Sequence, residues 1–112
     1  MTYDYEMIVC VVNSGFSDAV MSAAREYGAK GGTVLSARGT ANQEAETFFG
    51  ISIQPEKEVV MILVPTTIKD DILHAIYQKV GLATPGQGIA FTLPVENAVG
   101  LPPLTAENKT AE

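Results

Sequence analysis

The segment YEMIVCVV, residues 5–12, is apolar on both of its alternating sides. Its length and β-branched content predict a strand in a central position, with both faces to be covered. After NSGFS the period changes. From Ser17 to Tyr27 the apolar residues Val20, Ala23, Ala24 and Tyr27 recur at spacings of three and four, which predicts an amphipathic helix with Ser17 as N-cap and Gly28 as its stop. GGTVLSAR (31–38) reads as a second strand and VVMILV (59–64) as a third, ended by Pro65, which has no N–H for a ladder. Ile68, Ile72, Ala75, Ile76 and Val80 form one face of a second helix, with Thr67 and Asp70 at capping-box spacing and Gly81 at its end. IAFTLPV (89–95) is a fourth strand, and Pro94 puts it at a sheet edge.

The order β, α, β, β, α, β predicts an α+β domain of the ferredoxin-like type, a four-stranded antiparallel sheet with two helices on one face. Residues 1–100 form this domain, and the polar stretch 101–112 is expected to be a mobile tail. Two helices cover only one side of a sheet. The first and third strands are apolar on both sides, so the bare side predicts a homo-oligomer with sheets facing inward.

At 112 residues, 46% apolar and 18% charged, the chain has the composition of one compact domain. Seven Lys and Arg stand against thirteen Asp and Glu, for a net charge of −6, and no basic stripe interleaves with aromatics. Nucleic acid is therefore not expected as a direct partner, whereas a small anion needs only a few local donors. No apolar run approaches the roughly 20 residues that span a bilayer. Asp4 and Glu6 stand where a secretory signal would be positive, so the expected location is cytoplasmic. Cys10 reads as a buried strand residue and His74 as a surface helix residue, with no zinc-type cluster.

Catalytic constellations are missing: there is no His–Asp pair beside a nucleophile, no HExxH, no Walker A sequence and no dinucleotide fingerprint. The expectation is a protein that is not an enzyme and needs no cofactor. Binding signals are better. In PGQG, Gly86 and Gly88 flank Gln87 after Pro85, a loop that either turns backbone N–H groups toward an anion or merely joins a helix to an edge strand. Arg38 and Gly39 end the second strand, and Lys57 precedes the third, at the base of an irregular segment 40–56. In a βαββαβ unit these three features lie near sheet ends, where an oligomer can bring them into one cleft.

Taken together, GGTVLSARG (31–39), EVVMILVP (58–65) and PGQGIAF (85–91) resemble the PII signal-transduction family over residues 5 to about 95. PGQG resembles the glycine-flanked B-loop of that family, and 39–57 falls where its regulatory T-loop lies. The resemblance implies a homotrimer that binds an adenine nucleotide between subunits and controls a transporter or enzyme through the loop. It puts adenine near Val11, Gly32 and Thr33, with Leu63 in the wall, Gly39 at the loop base and Arg38 where the family often has Lys. Gly86, Gln87 and Gly88 are implied as phosphate donors, Lys57 matches a basic loop position, and Phe48, Phe49 and Ile51 would meet the partner. Three cations are lost: Ile89 replaces a phosphate-binding Lys, and Gly100 and Pro102 fall where members carry Arg. At about 1.5–3 kcal/mol per hydrogen bond to a charged group, this favours AMP, ADP or a cyclic nucleotide over Mg-ATP. The shortened loop also lacks the modified tyrosine and the 2-oxoglutarate-binding glutamine of some members.

Two other classes remain open on the same fold order. One is an ACT-like amino-acid-sensing module that binds near NSGFS. The other is a structural trimer without a nucleotide. An acylphosphatase-type enzyme would need an Arg after the first strand, and NSGFSD has none.

Overall fold

The computed structural model describes residues 3–40, 47–48, 51–52 and 55–101. Strand β1 (Tyr5–Asn13) is followed by helix α1 (Ser17–Glu26), β2 (Thr33–Arg38), a two-by-two hairpin of β3 (Thr47–Phe48) and β4 (Ile51–Ser52), and β5 (Glu56–Pro65). A 3₁₀ turn at Thr66–Ile68 leads into α2 (Lys69–Val80), and β6 (Ile89–Val95) completes the main sheet. That sheet is antiparallel with strand order β2-β5-β1-β6, so the βαββαβ arrangement expected from the periodicities is the one observed. Pro94 lies on the edge strand β6, where a missing N–H costs no ladder bond on the open side.

Period-two alternation sorts the central strands. Ile8, Cys10 and Val12 of β1 and Val60, Ile62 and Val64 of β5 are fully buried and pack with Val20, Ala23 and Ala24 of α1 and Ile72, Ile76 and Val80 of α2. Burial raises the Cys10 thiol to about 11, so it stays a protonated core residue. The intervening residues form apolar rows on the other side. Met7 is flanked by Leu63 and Leu93, Val9 by Met61 and Phe91, and Val11 by Val59 and Ile89. Among the described residues nothing covers the edge strands there: Leu35, Ile89, Phe91 and Leu93 are each 45–49% exposed.

Helix boundaries show where local pattern and tertiary structure part. Gly28, at φ +110°, ends α1 as expected. Its N–H donates to Arg25 O and that of Ala29 to Ala24 O, the paired bonds of a Schellman motif. Tyr27, placed by its spacing on the buried face, is instead 44% exposed, because it is the C-cap where the chain is already leaving the helix. Neither predicted side-chain N-cap forms: Ser17 is the first helical residue of α1, and Thr67 lies within the 3₁₀ turn that precedes α2. At α1 the missing cap is supplied from β5, where Glu58 Oε1 accepts the N–H groups of Gly15 (2.9 Å) and Ser17 (3.2 Å). At α2, Asp70 and Asp71 complement the helix dipole and Lys69 pairs with Glu6 at 3.2 Å.

The third long strand begins at Glu56 rather than Val59, so Lys57 lies inside it and not before it. Glu56, Lys57 and Glu58 extend the ladder opposite Arg38, Ala37 and Ser36. Alternating charges hide this extension from a search for apolar runs. The second strand starts at Thr33, two residues later than the glycine pair suggests.

Candidate functional site

Antiparallel register collects the ends of all four long strands at one end of the sheet. Arg38 at the end of β2, Glu56 and Lys57 at the start of β5, Asn13 at the end of β1 and Ile89 at the start of β6 lie there together. At the paired ends of β2 and β5, just past the end of β1, Ser14, Ser36, Ala37, Arg38, Glu56 and Lys57 line a cleft of about 350 Å³. It offers two cations and two hydroxyls to an anion, and Glu56 beside them opposes a high negative charge. Gly39 closes the base of the segment beyond, its N–H donating to Pro55 O at 2.8 Å. An added Cβ at Gly39 would come within 3.1 Å of Lys57 Cε.

The glycine-flanked loop joins the same sheet end. Asn13 N–H donates to Gly86 O and Asn13 Nδ2 to Pro85 O, both at 2.9 Å. Within the loop, Gln87 N–H donates to Thr84 O and Gly88 N–H to Val80 O, so two of the three N–H groups implied as phosphate donors are turned inward. The Gly86 N–H has no acceptor among the described residues. Gln87 is exposed with φ +46°, and Gly86 and Gly88 are buried.

Packing accounts for the glycines singled out in the sequence. A Cβ at Gly88 would stand 2.5 Å from Val80 O and 2.8 Å from Val12 Cγ1, and one at Gly32 would stand 2.9 Å from both Met61 O and Met21 Sδ. At Gly86 it would meet Val80 Cβ at 3.0 Å and the Phe16 ring at 3.3 Å. Each glycine lets backbone approach a neighbour closely, whether or not a ligand is present.

Of the residues singled out in the sequence, Arg38, Gly39, Lys57, Val11 and the Gly86–Gly88 loop share this sheet end. Gly32, Thr33 and Leu63 do not. Thr33 is opposite Met61 and Leu63 opposite Met7, so they lie roughly 13–20 Å along β5 from Lys57 at about 3.3 Å per residue. One subunit alone therefore does not assemble all of them around a single small ligand. Ile89 takes its place in the apolar rows beside Val11, and Gly100 is exposed at φ +94°. Pro102 and Phe49 lie outside the described residues. Phe48 and Ile51 pair as backbone across the β3–β4 hairpin.

Sequence reasoning missed Asn13 and Glu58. Each acts on residues 41 to 72 positions away, a separation at which no local pattern is written. Glu58 is held below the usual carboxylate range, chiefly by the Gly15 N–H and further by Ser17, against an opposing cost of desolvation.

The chain matches the family model described as Nitrogen regulatory protein P-II over residues 5–102. No curated protein matches it significantly. Among solved structures, it is similar to the crystal structure of Arabidopsis thaliana PII bound to citrate, with a TM-score of 0.63 and 22% identity over 83% of this chain and 78% of that one. The likeness is one of fold, and the family match covers nearly all of the domain. The chain belongs to the P-II family of signal-transduction regulators, which are generally trimeric and non-enzymatic.

Proposed function

We propose that this protein is a homotrimeric regulator that binds an adenine nucleotide with few phosphates, AMP, ADP or a cyclic nucleotide, in clefts between subunits. The observation that carries the reading is the shared sheet end, where Arg38 and Lys57 line a cleft and Asn13 joins Lys57 to the glycine loop. Beside it lies the uncovered apolar face through which a second subunit would bring its own Gly32, Thr33 and Leu63. The ligand's charge is limited by what the site offers. Two cations, one N–H without an acceptor among the described residues and an opposing Glu56 suit one or two phosphates better than three. Loop 40–56, with Phe48, Phe49 and Ile51, would carry the response to a partner, a membrane transporter or an enzyme, by a change of order.

A thermal-shift panel of AMP, ADP, cyclic AMP, ATP with and without magnesium, citrate and representative amino acids tests this. A ligand at 100 times its Kd stabilises the native state by about 2.7 kcal/mol, and AMP, ADP or cyclic AMP is expected to raise Tm most. Tight magnesium-dependent ATP binding overturns the limit on phosphate number. No response to any nucleotide leaves a structural trimer, and a response confined to amino acids makes it a sensor of another kind.

A further inference from the structure

Asn13 makes three hydrogen bonds to two separate parts of the site. Its Oδ1 accepts from Lys57 Nζ at 2.7 Å, its Nδ2 donates to Pro85 O at 2.9 Å, and its main-chain N–H donates to Gly86 O at 2.9 Å. The chemistry fixes which end of the amide faces which partner. An ammonium can only donate and a carbonyl can only accept, so a side chain placed between them must do both. Aspartate, leucine or alanine cannot. Register delivers the geometry, since Asn13 is directly opposite Lys57 across the β1–β5 ladder.

We propose that Asn13 is the positioning residue of the nucleotide site, coupling the Lys57 ammonium at the base of segment 40–56 to the glycine loop at 85–88. The inference deepens the nucleotide reading and rests on it for the ligand. Lys57 has three N–H donors, of which one is held by Asn13. Among the described residues no acceptor takes the other two, which can face an anion, and the ammonium is held at the cleft rather than sweeping through solvent on a four-carbon stem. An anion that draws Lys57 toward itself pulls on the amide that secures Pro85. The reverse also holds: a displaced glycine loop releases Lys57. Coupling of this kind is reciprocal in binding free energy.

The test compares Asn13→Ala, Asn13→Asp, Lys57→Met and the double variant Asn13→Ala/Lys57→Met. Each is first checked for cooperative unfolding. Amide hydrogen exchange without ligand reads the coupling independently of any nucleotide. Lys57→Met, which never touches the glycine loop, is expected to speed exchange at Gln87 and Gly88. Asn13→Ala is expected to do so more strongly, and the double variant no more than Asn13→Ala alone. Asn13→Asp keeps an acceptor for Lys57 but loses the donor to Pro85, so it separates the two halves: Lys57 stays ordered while the loop loosens. Calorimetric titration with ADP is expected to show about tenfold weaker binding for Asn13→Ala, the equivalent of one hydrogen bond. Unchanged exchange at 87–88 in Lys57→Met, or additive effects in the double variant, overturns the coupling. Coupled exchange in a protein that binds none of AMP, ADP and cyclic AMP leaves Asn13 as a structural link and refutes the nucleotide reading instead.

Discussion

Replacing Gly88 by alanine separates two explanations of the glycine loop. If Gly88 serves only to let a phosphate approach, Gly88→Ala leaves the ligand-free protein as stable as before and harms binding alone. The structure gives a different expectation. The new methyl group would lie 2.5 Å from Val80 O and 2.8 Å from Val12 Cγ1, against ordinary contacts of about 3.5–4.0 Å. One of those atoms is main chain at the end of α2 and the other is a fully buried core side chain, so neither moves freely. Relief requires the loop to shift and loosen the Gly88 N–H bond to Val80 O. Overpacking of this kind costs roughly 1–3 kcal/mol. With an unfolding entropy of about 2.1 cal/mol/K per residue, each kcal/mol lowers the melting temperature of a chain this long by about 4 °C. The expected loss is then about 4–12 °C, measured by calorimetry without nucleotide at fixed protein concentration, since melting of an oligomer depends on concentration. Gly86→Ala, whose nearest contacts are side chains at 3.0–3.3 Å, is expected to lose less. A ligand-free Gly88→Ala protein that melts within about a degree of the parent refutes the packing argument.

Two further outcomes are expected. Glu58 has a folded-state pKa below its ordinary value of 4.5, so it adds stability above that unfolded value and loses it as pH falls through the lower folded one; Glu58→Gln should flatten the acid limb of a urea-denaturation series below about pH 4.5, and an unaltered limb counts against the cap. Phe91→Glu introduces a charge into the middle of the bare apolar rows, beside Val9, and should shift the protein to monomers in sedimentation velocity; a retained trimer would mean that the face is not the subunit contact.

How much of this was legible beforehand follows from the range of each interaction. The alternation along β1 and β5 and the helical spacing from Val20 to Ala24 and from Ile72 to Val80 are local, and they give the element order and the two-sided strands directly. Gly28 as a helix stop is equally local, because a left-handed residue after an apolar stripe is a property of the chain segment itself. Glu56 and Glu58 escaped because charged strand ends break the apolar period while still joining the ladder.

The sequence by itself determined the sheet, the helix pair and the surplus apolar face, since these follow from which residues prefer to leave water and at what period. Only the tertiary structure decided the site. It turned two N–H groups of the glycine loop inward, let Glu58 cap a helix 41 residues away, and set one asparagine between a lysine 44 positions away and a carbonyl 72 positions away. Such contacts are satisfied by strand register, and register is a property of the folded sheet rather than of any stretch of its sequence.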